Sequence, residues 1–243
     1  MQLTVLLYTK PSVAQRVIRV VLSGNLNVCV TIPAFVQGEY VMMKRRQKGS
    51  EAPSDREHVL ATAAHLFREQ GYERTTVKEI AEACEMLPGS LHYRYPTKEA
   101  ILVDLMRFGL EEASKVVLSA MAGVQDPVEQ LRRGINAHLE ILVSGSDMVY
   151  VLLFEWRSLR GSARQEMIEL RDRYEALWAG MLTCLSQQGA IRKEIDLELL
   201  RLIGLGALNW VATWFHADGR YSLQQIGDFV WLVIKRALMD DEE

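Results

Sequence analysis

From residue 54 onward the apolar positions recur at helical spacing, and the polar residues between them fall where helices begin and end. Ser54 precedes Asp55, Arg56 and Glu57 as a cap. Val59, Leu60, Ala63, Leu66 and Phe67 then give the apolar stripe of a helix that stops at Gly71. Thr76 and Glu79 have the spacing of a capping box, and Val77, Ile80, Ala81 and Cys84 form the buried side of a second helix of about two turns. After a turn at Glu85–Leu87, Pro88 suits the first turn of a third short helix, which Tyr95-Pro96 ends.

A long helix follows from Thr97 to Met121, and Asp126-Pro127 opens the next. Ser144-Gly145-Ser146 separates that one from Met148–Leu159. Gly161-Ser162 begins an amphipathic helix to about Gly189, Asp196 starts an almost wholly apolar one ending near Ala217-Asp218-Gly219, and Ser222–Met239 is the last. The pattern predicts an all-α fold with about nine helices. A helix apolar on nearly every side, as Leu199–Phe215 is, belongs at the centre of a bundle or in a subunit interface.

The first 41 residues differ. Their short Val-rich runs could pair as strands, and Met42-Met43-Lys44-Arg45-Arg46 reads like the polar start of a bacterial protein. Met42 or Met43 is therefore expected to be the physiological start, with a loosely docked extension as the alternative; the segment makes a poor signal peptide. Lys44, Arg45, Arg46 and Lys48 could form an arm on a phosphate backbone, or a solvated tail.

With 49% hydrophobic and 24% charged residues over 243 positions, the chain has the composition of a globular protein. Three widely spaced cysteines, Cys29, Cys84 and Cys184, suggest neither a disulfide framework nor a zinc site, and a reducing cytoplasm is the expected setting. No apolar run is long enough for a transmembrane helix, so no membrane partner is expected. His58, His65, His92, His138 and His216 form no HExxH pair, no GxSxG elbow or phosphate loop occurs, and Gly204-Leu-Gly206 lacks the third glycine of a dinucleotide site. No catalytic residue, metal ligand or cofactor is expected.

The net charge is −3, but residues 42–106 are neutral and the excess acid lies beyond them. Nucleic-acid binding then requires the positive charges of that segment to share a face. Arg74, Lys78, Arg94 and Lys98 can do so if Glu69, Glu73 and Glu82 face elsewhere. The second and third helices make a helix-turn-helix candidate in which Gly89 and Ser90 leave the leading end without bulk, so that its backbone can approach base edges, and His92 and Tyr93 project polar groups from the same element. Helix starts at Thr75–Thr76 and Thr97–Lys98 offer N–H groups to phosphates.

The run Leu66-Phe-Arg-Glu-Gln-Gly-Tyr-Glu-Arg-Thr-Thr-Val-Lys-Glu-Ile-Ala-Glu-Ala, with Pro88-Gly-Ser-Leu-His-Tyr-Arg-Tyr-Pro-Thr-Lys-Glu-Ala-Ile-Leu, resembles the DNA-binding head of the tetracycline-repressor family over about 50 residues, Asp55–Met106. The resemblance implies a homodimer binding a double-stranded, near-palindromic operator. It places an N-terminal extension at 1–53, a helix-turn-helix domain at 54–98 and a helical ligand-binding and dimerisation domain at 99–243. It implies DNA contacts from Thr75, Thr76, Lys78, Pro88, Gly89, Ser90, His92, Tyr93 and Lys98, with Tyr95 more buried. The family usually has Gly where this chain has Glu85, and often Ser where it has Leu87, so a non-glycine residue must close the turn. The last two helices are expected to pair across the twofold, with Gly204 and Gly206 allowing close approach and Phe229, Trp231, Leu232 and Ile234 supplying apolar bulk.

For the ligand pocket the candidates are Phe154, Trp156, Arg157, Arg171, Tyr174, Trp178, Asn209, Trp210 and Trp214, with Arg173 nearby. The aromatic pairs Tyr174/Trp178 and Trp210/Trp214 each share a helix face, and arginines beside apolar surface suit an amphiphilic anion. Asn209, inside an apolar run, needs a partner if buried. Phe154-Glu-Trp-Arg, Leu170-Arg-Asp-Arg-Tyr-Glu-Ala-Leu-Trp and Ala207-Leu-Asn-Trp resemble the branch that represses fatty-acid or steroid catabolism and is released by an acyl-CoA. The expected function is thus a ligand-responsive repressor. The alternatives are a sensor of aromatic drugs controlling efflux, and a helical lipid carrier that leaves Thr76–Lys98 without purpose.

Overall fold

The computed structural model describes residues 4–8, 17–22, 26–30 and 55–238. The Val-rich runs near the start do pair: β1 (Thr4–Tyr8), β2 (Val17–Leu22) and β3 (Leu26–Val30) form an antiparallel sheet in that order, with Thr4 opposite Val21 and Ile18 opposite Val30. β-Branched residues fit a pleated backbone better than a helix. The all-α expectation therefore holds from Asp55 onward, and the strands ahead of it are those the Val-rich runs allowed. Ser54, Met42, Met43 and the basic residues Lys44–Lys48 lie outside the described residues.

Nine α-helices follow among the described residues: α1 (Asp55–Gln70), α2 (Val77–Ala83), α3 (Pro88–Arg94), α4 (Lys98–Met121), α5 (Pro127–Leu142), α6 (Asp147–Phe154), α7 (Gly161–Gln187), α8 (Leu197–Trp214) and α9 (Leu223–Leu238). The expected helix Met148–Leu159 is cut short. The chain tightens into a 3-10 helix at Glu155–Ser158, where the Ser158 hydroxyl donates to Glu155 at 3.1 Å. Residues 55–115 with 141–172 make one compact unit, and 116–140 with 173–238 another.

In the first unit the helix boundaries are set locally. Gly71, at φ +87°, ends α1 with its N–H on the Phe67 carbonyl. The Thr76–Glu79 capping box is complete: the Glu79 N–H donates to the Thr76 hydroxyl at 3.2 Å, and the Thr76 N–H donates to the Glu79 carboxylate at 2.7 Å. α2 ends on Glu85 at φ +56°, the one non-glycine residue with positive φ among the described residues. Glu85 N–H donates to the Glu82 carbonyl and Met86 N–H to the Ala81 carbonyl, the paired bonds of a Schellman ending. Gly189 makes the same pair at the end of α7, with Ala190 N–H on Leu185. α3 starts on Leu87 with no side-chain cap and Pro88 in its first turn.

Val59, Leu60, Phe67, Ile80, Leu91, Ile101, Leu102, Leu105 and Met106 are all 0% exposed and form the core of this unit. Burying each such side chain is worth about 1.5–3 kcal/mol. Against this core lies a polar cluster about Asp104. Asp104 accepts two hydrogen bonds from Arg56, at 3.0 and 2.8 Å, one from the Tyr95 hydroxyl at 2.7 Å and one from Arg107 at 3.2 Å. Burial alone would raise the Asp104 carboxyl; Arg56 and Tyr95 outweigh it and hold the group below the usual carboxylate range. Arg107 also pairs with Glu166 of α7. No single helix among the described residues is long and apolar enough to cross a membrane.

Because an L-residue in the left-handed region costs about 1–2 kcal/mol, Glu85→Gly is expected to raise stability by about 1 kcal/mol once the glycine's greater unfolded-state freedom is subtracted. Urea denaturation measures this, and a lower midpoint for Glu85→Gly would contradict it.

Candidate nucleic-acid interface and effector site

α3 has a buried side and an open one. Leu91 is 0% and Tyr95 6% exposed, whereas Pro88, Gly89, Ser90, His92, Tyr93 and Arg94 are exposed, Tyr93 to 93%. Nothing lies within 4 Å of where a Cβ on Gly89 would stand, so the leading end of α3 is bare. Tyr95, at the C-cap, turns inward and its hydroxyl is committed to Asp104; burial and that carboxylate push it up to about 12.

The remaining expected DNA residues are less uniform. Thr76 is exposed at the start of α2 and holds the capping box. Thr75 is 1% exposed, its hydroxyl donating to the Gly71 carbonyl at 2.9 Å, so it braces the turn from within. Lys98 donates to the carbonyls of Tyr72 and Glu73, at 2.7 and 3.1 Å, with its ammonium 4.4 Å from the centre of the Tyr72 ring. Two of its three donors thus close the loop after α1. Lys78 stands 3.6 Å from Glu82 one turn on, which corrects the expectation that Glu82 faces elsewhere. Both side chains are well exposed, so the pair is weak and leaves Lys78 available. Thr97 caps α4 by accepting from the Ala100 N–H at 3.1 Å.

The nine expected ligand residues divide between the two units. Phe154, Trp156, Arg157 and Arg171 belong to the first. Phe154 is 41% exposed and packs on Tyr150, with ring centres 4.9 Å apart. Trp156 sits in the 3-10 turn with three guanidinium groups about its ring, those of Arg157, Arg164 and Arg171. Arg164 was not among the expected residues. An open groove of about 740 Å³ in this unit is lined by Arg56, Arg94, Tyr95, Asp104, Arg107 and Glu166.

Tyr174, Trp178, Asn209, Trp210 and Trp214 belong to the second unit. Tyr174 and Trp178 are buried, but Trp210 is 66% and Trp214 42% exposed. Asn209 does find a partner: its side-chain oxygen lies 3.2 Å from Nε2 of His138, whose Nδ1 lies 2.8 Å from the Tyr174 hydroxyl. One neutral tautomer satisfies both contacts, with Nε2–H donating to Asn209 and Nδ1 accepting from Tyr174. Burial pushes His138 down to about 4 and the Tyr174 hydroxyl up. Sequence reading passed over His138, although it falls on the apolar stripe Leu131, Ile135, Leu139 and Leu142 of α5, a position where a histidine needs a partner.

Trp178 is 4% exposed, and its indole N–H makes no hydrogen bond of good geometry. The ring lines a cavity of about 40 Å³ with Leu131, Ile135, Leu182, Leu205 and Leu208. That is little more than the space of one water molecule, about 30 Å³, and far below the roughly 300–1,000 Å³ of ligand pockets. Among the described residues no group of three or more His, Cys, Asp or Glu side chains could hold a metal ion.

Residues 59–105 match the family described as bacterial regulatory proteins, tetR family, and residues 124–238 match the tetracyclin repressor-like C-terminal domain. The chain is 27% identical over 176 residues to the HTH-type transcriptional repressor KstR2 of Mycobacterium tuberculosis, covering 72% of this chain and 88% of that one. It is 24% identical over 173 residues to the fatty acid metabolism regulator protein of Bacillus subtilis, covering 71% and 89%. Among solved structures, AibR in complex with isovaleryl coenzyme A and operator DNA superposes with a TM-score of 0.66 at 30% identity, covering 74% of this chain and 97% of that one.

The neutral His138 also makes stability depend on pH. Above pH 6.5 the imidazole is neutral folded or unfolded; between about 6.5 and 4 only the unfolded chain takes the proton, so stability is lost as pH falls through that window. The loss is on the order of 3 kcal/mol in full. His138→Gln should flatten the fall in urea midpoint between pH 7 and pH 4.5, and equal slopes for the two proteins would refute the assignment.

Proposed function

This chain belongs to the tetR family of bacterial regulatory proteins, a DNA-binding transcriptional regulator that answers to a ligand, and on that premise we propose that it is a cytoplasmic repressor released from its operator by an acyl-CoA. The observation that carries the DNA side is α3: anchored by Leu91 and Tyr95, it offers Pro88, Gly89, Ser90, His92 and Tyr93 to solvent on a bare leading edge. Thr76, Lys78 and Lys98 flank it, while Thr75, whose N–H and hydroxyl donate to the Tyr72 and Gly71 carbonyls, braces the turn from within. We take 54–98 as the DNA-binding domain, 99–243 as the ligand-binding and dimerisation domain, and 1–53 as an extension.

A near-palindromic operator needs two heads roughly 34–36 Å apart, and hence a dimer. Its interface is the apolar surface left open on the last two helices. Leu199, Leu202, Ile203 and Trp210 on α8, and Phe229, Leu232 and Val233 on α9, are 46–69% exposed. Gly206 lies among them with open space at its missing Cβ, so a partner helix can approach closely. On this reading Trp210 and Trp214 serve the interface as much as the effector.

For the effector, the arginines about Trp156 suit the charged part of an amphiphilic anion. The named relatives add weight: one is a fatty acid regulator, and another is solved with isovaleryl coenzyme A. α4 runs without a break from the Asp104 cluster of the first unit to Met121 of the second, so ligand binding that displaces its far end would shift the heads and weaken operator binding.

Fluorescence anisotropy on DNA from upstream of its own gene tests this. Affinity should fall on the order of 10³-fold between 50 and 200 mM salt, and acyl-CoAs, rather than free fatty acids or aromatic drugs, should release the DNA. Release only by non-thioesters would refute the effector class; the absence of salt-dependent DNA binding would favour a carrier. Tyr93→Ala should weaken operator binding about tenfold with unchanged melting temperature, since its side chain packs on nothing.

A further inference from the structure

We propose that Trp156 and its arginines form a phosphate-binding site that holds the pyrophosphate and 3′-phosphate end of a coenzyme A thioester. This rests on the acyl-CoA reading above and adds the place where the charged end is held. The guanidinium carbons of Arg157, Arg164 and Arg171 lie 5.6, 5.3 and 5.1 Å from the centre of the same indole ring. Arg157 and Arg164 thus bring two like charges to one ring beside Arg171, and an anion between them relieves their repulsion. Among the described residues neither Arg157 nor Arg164 has a carboxylate within ion-pairing distance, and both are exposed.

The ring also prepares the arginines for the task. A guanidinium lying over an aromatic face spends no N–H on it, so its donors remain in the fork that matches two phosphate oxygens. Trp156 is half-buried and packs against the core of its unit, which fixes the platform. Arg157 reaches it from the 3-10 turn and Arg164 from the first turn of α7. That helix is 27 residues long, and its leading end carries positive field that Glu99 meets at the Arg160 N–H, 3.1 Å away. The larger groove of the unit is a poorer anion site, because its Arg56 and Arg107 are already paired with Asp104 and Glu166.

The test is calorimetric titration of the full chain with coenzyme A, 3′-dephospho-coenzyme A and inorganic pyrophosphate, for wild type and Arg164→Ala. Coenzyme A should bind more tightly than its dephospho form, and Arg164→Ala should weaken it by about tenfold or more. Arg164→Lys should recover only part, since an ammonium restores charge without the fork. Wild-type affinity in Arg164→Ala overturns the proposal, as does a defect confined to operator affinity measured without effector, which would give the arginine to the DNA backbone. The two readings separate cleanly. If acyl-CoA releases the operator from Arg164→Ala as from wild type, the phosphate site falls alone. If coenzyme A and pyrophosphate binding depend on Arg164 while no thioester releases the operator, the effector class falls and the site stands.

Discussion

A helix of seven residues does not hold together by its own hydrogen bonds, since helices shorter than about 12–15 residues are marginal in water. α3 is that short and has no side-chain cap at its start. It stands because Leu91 is driven into the core and Tyr95, at its end, is tied to Asp104. Asp104 is in turn gripped by Arg56 from α1 and Arg107 from α4. One carboxylate therefore fixes the register of the element most exposed to solvent. Every outward side chain of α3 owes its position to this inward anchorage.

The two units handle buried polarity in opposite ways. Around Asp104 charge is kept and compensated, with two guanidinium groups and a hydroxyl outweighing the cost of desolvation. Around His138 charge is removed: the imidazole stays neutral and passes one hydrogen bond to Asn209 while taking one from Tyr174. A neutral chain of this kind joins α5, α7 and α8 without burying an ion.

What was legible in the sequence was what is decided locally. The Thr76–Glu79 box, the Gly71 stop, the start at Pro88 and the bare Gly89 depend on neighbours a few residues away, and all are found in place. The turn departing from glycine was legible too, and Glu85 takes up the left-handed conformation that such a turn demands. The effector residues were harder because helical spacing says which side chains share a face, not which neighbour that face meets. Trp210 and Trp214 share one, but it is largely open. Lys98 reads as a surface cation, yet packing folds it back over Tyr72 and two carbonyls. His138 needed the partner of Asn209 to be sought 71 positions away, across a separation that no local pattern encodes.

The tight space beside Trp178 has a kinetic consequence. Its walls are mostly leucine and isoleucine side chains, with Trp178, Arg201 and Gly204, and there is room for little beyond a solvent molecule. An occupant the size of an acyl chain can enter only after the helices have parted. The speed of entry is then set by how often the protein opens, and it levels off as ligand concentration rises. A ligand that used this space would therefore follow sustained abundance rather than brief surges, with the delay set by the packing density of one unit.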